Sequence, residues 1–125
     1  MSEPVRGVVA CHGRLAEALI DAVERISGIQ GALVPVTNSE CDKGLIEKRI
    51  AAAAGAGPAM VFTDLPSGSC LIAAATLARR QNAIVVVTGV NLAMLIDFVF
   101  HRDLPLAEVA ARVSASGHKA IQVPG

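Results

Sequence analysis

Val8-Val9-Ala10-Cys11-His12-Gly13-Arg14-Leu15-Ala16-Glu17-Ala18-Leu19 changes its periodicity midway. The segment opens on an uninterrupted apolar run, the pattern of a strand buried on both faces. From Leu15 onward, Leu15, Leu19, Ile20, Val23 and Ile26 recur at the spacing of one helical stripe, and Gly28 supplies a stop. A buried strand that runs straight into an amphipathic helix begins a strand–helix–strand crossover, the connection that joins parallel strands. An imidazole and a glycine stand at that junction, beside the positive end of the helix.

The same alternation continues along the chain. Residues 32–36 read as a second strand, and Pro35 marks it as an edge. The loop Thr37-Asn38-Ser39-Glu40-Cys41-Asp42 is rich in capping residues. It leads to a second helix through Leu45, Ile46, Ile50 and an alanine run, ended by Gly55 and Gly57. Residues 59–63 form a third strand, and Asp64-Leu65-Pro66-Ser67-Gly68-Ser69 turns into a helix starting near Cys70. Residues 83–87 give the strongest strand signal, continuous and β-branched. Thr88-Gly89-Val90-Asn91 then turns into a helix carrying Leu92, Leu95, Ile96 and Val99. Asp103 and Pro105 read as the cap and first turn of a last helix, which runs from Leu106 to near Ser114 and is ended by Gly117. Ala120-Ile121-Gln122-Val123 reads as a terminal strand.

This order predicts an α/β fold: a doubly wound, mostly parallel sheet with helices on both faces, in a single domain over residues 1–125. Ligands of such sheets gather at the carboxyl ends of the strands, near the topological switch point. That rule selects Cys11-His12-Gly13, residues 63–69 and Thr88-Gly89-Val90-Asn91 as the candidate loops.

Composition narrows the function. The chain is 53% hydrophobic and 18% charged, so it can build a core, and its 11 basic and 11 acidic residues balance to zero net charge. Without a basic block, and with Trp and Tyr absent, no nucleic-acid footprint is expected. The Met1-Ser2-Glu3-Pro4 start has no signal-peptide pattern, and no uninterrupted apolar stretch reaches the ~18 residues of a membrane span. Cys11, Cys41 and Cys70 are odd in number and widely spaced, the usage of reduced thiols in a cytosolic protein.

His12 reads either as a hydrogen-bonded structural residue or as a nucleophile, since free amides at a helix start would stabilise a phosphate carried on the ring. Asp64 ends the third strand as His12 ends the first. It reads either as a turn cap or as the carboxylate that fixes the imidazole tautomer. Gly13, Ser67, Gly68 and Ser69 are candidate phosphate contacts, although Ser69 alone reads first as a helix cap. Walker and GxGxxG spacings are missing, and no acidic cluster calls for Mg²⁺, so no cofactor and no metal are expected. Cys11 and Cys70 read as buried thiols; a thiol or metal site built on them is the rival. His101 and His118 read as solvated.

Three segments carry a family resemblance. Gly7-Val8-Val9-Ala10-Cys11-His12-Gly13 with Leu15-Ala16-Glu17-Ala18-Leu19 resembles the opening of the mannose-type enzyme IIA of the bacterial sugar phosphotransferase system. Phe62-Thr63-Asp64-Leu65-Pro66-Ser67-Gly68-Ser69 is similar to that family's second motif, and Thr88-Gly89-Val90-Asn91-Leu92-Ala93-Met94-Leu95 to its third. The resemblance implies a homodimer in which the terminal edge strand is exchanged or packed across subunits. It implies that His12 takes a phosphoryl group from the phosphocarrier protein HPr and passes it to a IIB-type component or a regulatory target. Asp64 would then orient the imidazole, and Ser69 would lie close to the phosphate. No metal is implied for this step. Contact with the membrane would be indirect, through IIC/IID-type components. The chain carries no IIB region, so a separate acceptor is expected. Cys11 departs from the family's usual Ser or Thr, and Cys70 from its usual Pro or Thr. The alternative reading is a non-enzymatic, flavodoxin-like module that binds a small ligand.

Overall fold

The computed structural model describes residues 3–40 and 42–125; Met1, Ser2 and Cys41, and what the sequence suggested for them, lie outside the described residues. Strands β1 (Arg6–Cys11), β2 (Leu33–Thr37), β3 (Ala59–Thr63) and β4 (Ile84–Val87) alternate with helices α1 (Leu15–Ser27), α2 (Lys43–Ala54), α3 (Ser69–Arg80) and α4 (Leu92–His101). A last helix, α5 (Leu106–Lys119), follows α4 directly. The strands pair in the order β2-β1-β3-β4, all parallel. Pro35 sits on β2 at the sheet edge, where its missing N–H costs nothing.

Alternation along the central strands sorts the core onto two faces. Val9, Met60 and Phe62 pack with α1, α4 and α5, whereas Val8, Ala10 and Val61 pack with α2 and α3. On the first face Phe98 of α4 meets Phe62 edge-on, with ring centroids 5.3 Å apart and planes at 82°. On the second, Ile46, Ile50 and Ala54 place one buried α2 stripe against the sheet. The α1 stripe differs from its sequence reading: Ala16, Ile20 and Val23 are buried, while Leu15 and Ile26 stay exposed.

The C-terminal end corrects several expectations. Gly117 does not end the last helix but lies buried within it, where a Cβ would come within 2.5 Å of Met94 Cε. Glycine is there for close α4–α5 packing, and the helix therefore runs on through His118 to Lys119. No strand forms at residues 120–125, which follow the end of α5 at Lys119 and pair with no strand of the single chain among the described residues. Ile121 and Val123 are left 75% and 96% exposed. Asp103 is not the cap; Pro105 holds that position, with no side-chain cap bond. His101 is not free in solvent: its Nδ1 lies 2.9 Å from the Asp97 carbonyl oxygen and 3.2 Å from Asp97 Oδ1.

The order β2-β1-β3-β4 has a direct consequence for the site. From β1 the chain moves outward to β2, then returns across β1 to β3 and on to β4. The switch point is therefore the crevice between the carboxyl ends of β1 and β3. The last paired residues there are Ala10 and Thr63. Asp64 follows Thr63 directly, and His12 follows Ala10 with Cys11 between them.

Candidate functional site

At the switch point the His12 ring meets the Asp64 carboxylate, Nδ1 to Oδ2, at 2.8 Å. The same Oδ2 accepts the His12 backbone N–H at 3.0 Å, and Oδ1 accepts the Leu65 N–H at 3.1 Å. Burial alone would raise the Asp64 pKa above its ordinary 3.8. The His12 amide and ring bonds and the imidazolium charge more than offset that, so it lies below that value. An ionised carboxylate can only accept hydrogen bonds, so Nδ1 must be the donor. In the neutral ring the lone pair is then on Nε2. The His12 side chain is 44% exposed against 12% for Asp64, so the ring reaches solvent while its anchor is held inside.

A depressed carboxylate pKa stabilises the fold above the unfolded-state value. That contribution is lost as pH falls through the lower folded-state value. Stability should therefore drop as acid titrates Asp64 at pH values below 3.8, and D64N should flatten that part of the profile. Thermal melts of both proteins across the acid range check this.

The backbone around His12 is pinned from β2. Thr37 Oγ1 donates to the Gly13 carbonyl at 2.8 Å, and the Gly13 N–H donates to Asn38 Oδ1 at 3.3 Å. Gly13 itself has φ +58°, a left-handed turn that a side chain would strain. Sequence reasoning missed Thr37 and Asn38 as positioning residues. The available signal was that they end a strand that neighbours β1.

The helix starts differ in capping, and α5 opens without a side-chain cap, at Pro105. Asp42 caps α2 by accepting the Leu45 N–H at 2.8 Å, and Asn91 caps α4 by accepting the Met94 N–H at 3.0 Å. Neither helix that opens beside His12 has a side-chain cap: Arg14 precedes α1 and Gly68, at φ +93°, precedes α3. Arginine offers no acceptor and glycine no side chain, so neither can take up the first-turn amides. Ser69 is accordingly not the cap that its position suggested but the first residue of α3, half-buried, next to exposed Ser67 and Gly68.

The other candidates divide. The Thr88-Gly89-Val90-Asn91 loop does structural work, since Asn91 also donates from Nδ2 to the Gly117 carbonyl at 2.9 Å and ties α4 to α5. Cys11 belongs to the α1-side core, where burial first, then the nearby Asp64 and Cys70 charges, push its thiol up to about 12. Cys70 belongs to the α3-side core, close enough to Cys11 for their charges to interact. Cys70, His12 and Asp64 each place a ligand-type atom within 4.8 Å of the others, a group that does not include Cys11.

Fold and site together define a parallel α/β domain that presents a carboxylate-held imidazole at its switch point. Residues 7–114 match the family described as PTS system fructose IIA component, and the chain belongs to that family of phosphotransferase-system components. A solved phosphotransferase component EIIA from Streptococcus agalactiae is similar at TM-score 0.88 and 21% identity, covering 95% of this chain and 96% of that one. A mannose/sorbose-specific IIA subunit from Enterococcus faecalis is similar at TM-score 0.86 and 26% identity, over 98% and 96%. A PTS IIA protein associated with the fucose utilization operon of Streptococcus pneumoniae is similar at TM-score 0.71 and 20% identity, over 93% of each chain. No curated protein matches the chain.

Proposed function

We propose that this chain is a phosphohistidine carrier: His12 accepts a phosphoryl group from phosphorylated HPr and passes it to a IIB-type component or a regulatory target. The observation that carries this reading is the 2.8 Å contact between His12 Nδ1 and Asp64 Oδ2, made beside two helix starts without side-chain caps.

The step balances simply. The Nε2 lone pair attacks phosphorus in line, the new P–N bond forms, and the bond from phosphorus to the donor breaks with its electron pair leaving on the donor. Asp64 keeps Nδ1 as the donor and offsets the positive charge that grows on the ring as Nε2 becomes bonded. Amides at the starts of α1 and α3, with the Ser67 and Ser69 hydroxyls and the Gly68 backbone, meet the phosphoryl oxygens. Gly13 supplies the left-handed turn that brings α1's start next to the ring.

Transfer between proteins also needs a docking face. Leu15, Leu45, Leu65 and Ile72 are exposed, and all belong to first helical turns or to the β3–α3 loop, at the carboxyl edge of the sheet where His12 lies. Exposed apolar residues collected around a reacting group suit transient docking of a donor or acceptor. Leu65→Asp and Ile72→Asp should each raise the KM for phosphorylated HPr by about tenfold while kcat changes little, as steady-state transfer assays would show.

The reading extends to assembly and place. The outer edge of β4 pairs with no strand among the described residues, and Ile121 and Val123 are exposed nearby in sequence to α5. Pairing of residues 120–125 with that edge in a second copy would give a homodimer. No helix among the described residues is long and apolar enough to cross a membrane. On this reading the carrier works in the cytoplasm, meeting the membrane only through IIC/IID-type components. Incubation with phosphorylated HPr, followed by addition of a IIB-type acceptor, tests the reading. Acid-labile label should enter the chain and then leave it; a chain that never takes up label rejects the proposal.

A further inference from the structure

We infer that His12, Asp64 and Cys70 also form a binding site for one soft divalent cation, zinc above all, whose occupancy excludes phosphate on His12. The metal site stands on its own geometry; the exclusion rests on the reading of His12 given above.

The donors arrive from separate elements. His12 follows β1, Asp64 follows β3, and Cys70 lies in the first turn of α3. A nitrogen, a carboxylate oxygen and a sulfur all lie within 4.8 Å of one another. Ligands on a tetrahedral zinc stand roughly 3.3–3.7 Å apart, given bonds near 2.0–2.3 Å. Closing the remaining gap takes a movement of roughly one ångström. The half-exposed His12 ring can make it, while Asp64 is held by the His12 and Leu65 amides and Cys70 by burial. The exposed side of the ring leaves an entry path and a place for water as the fourth ligand.

The donor set selects the metal. A thiolate and an imidazole are poor ligands for Mg²⁺ or Ca²⁺, which take oxygen, and good ones for zinc. Among the described residues, the ion pairs of Asp64 run only to His12, so no lysine or arginine occupies the place of a cation. Cys70 is one of the positions at which the chain departs from the mannose-type pattern, whose Pro or Thr would bring no soft donor. The site therefore belongs to this chain's own residues.

Binding and phosphorylation compete for one lone pair. As the zinc–sulfur bond forms, Cys70 releases its proton to solvent. A neutral imidazole has one nitrogen with a lone pair and one with a proton. Whichever nitrogen binds zinc, the other carries the proton, and nothing remains to attack phosphorus.

The test is a titration of the unphosphorylated full-length protein with Zn²⁺ by calorimetry, repeated with Co²⁺ to look for thiolate-to-metal charge-transfer absorption. One equivalent should bind with that absorption present. Affinity should fall at least tenfold in both C70S and H12A. C11S should bind as the wild type does. Binding that survives the loss of Cys70, binding that requires Cys11, or no saturable binding would each overturn the site. For the exclusion, zinc should suppress phosphate uptake from phosphorylated HPr in the wild type and leave C70S at its own metal-free rate. Uptake that continues in zinc-saturated wild-type protein overturns the exclusion, while failure of uptake without zinc counts against the carrier reading and leaves the titration result standing.

Discussion

D64N should lower the rate of phosphoryl uptake from phosphorylated HPr by ~10²–10⁴-fold while the protein stays folded at neutral pH. The carboxylate does two things that a carboxamide cannot. It obliges Nδ1 to be the hydrogen-bond donor, and it carries the charge that opposes the one developing on the ring. Asparagine can present either its oxygen or its amino group to Nδ1, so the ring would populate the tautomer with the proton on Nε2. The backbone N–H groups of His12 and Leu65 go to different carboxylate oxygens, so asparagine keeps only one of these two bonds; the nitrogen that carries the phosphate separates a positioning role from a merely structural one. A structural role would leave unchanged which ring nitrogen carries the phosphate; a positioning role predicts a mixture of both in the variant. Single-turnover uptake and NMR of the phosphorylated product read these outcomes.

The largest effect on stability should come from the core of the α1 face. Phe98 is fully buried and packs edge-on against Phe62 at a centroid distance of 5.3 Å. The chain has only three Phe and neither Trp nor Tyr, so its core has few large side chains to close over the space left. F98A should cost about 3–5 kcal/mol through lost burial and an unfilled cavity. For a chain of this length that is a fall in Tm of roughly 10–20 °C, measurable by calorimetry. F98L should recover more than half of that loss.

The parts of the fold that could be read from sequence were those set by local periodicity. The apolar runs at Val8-Val9-Ala10 and Ile84-Val85-Val86-Val87 became β1 and β4, and Gly28 stopped α1 in a left-handed cap as its position suggested. What could not be read was set by contacts between distant elements. Gly117 looks like a helix terminator until Met94 is seen packed against it. The tail strand expected over residues 120–123 needs a partner edge that the single chain does not bring to it. Ser69 lost the cap to Gly68, whose φ of +93° ends the preceding turn and lets the helix begin at Ser69 itself.

The site divides in the same way. His12 and Asp64 stood out because each follows a strand, and the strand order then places them in contact. Thr37 and Asn38, which hold the His12 loop, looked like ordinary loop polarity. Cys70 looked like a buried hydrophobe, and only the structure puts its sulfur near His12 and Asp64. A sequence pattern marks where a polar residue sits on an element; it does not reveal which atoms converge from three of them.

The proposed carrier role requires that one ring nitrogen be offered because the Asp64 carboxylate occupies the other. Phosphorylate the protein with labelled donor, digest it under alkaline conditions, and determine by phosphorus–nitrogen NMR which atom holds the label. Label on Nε2 of His12, absent from H12A, is the expected result; label on Nδ1, or label that persists without His12, would contradict it.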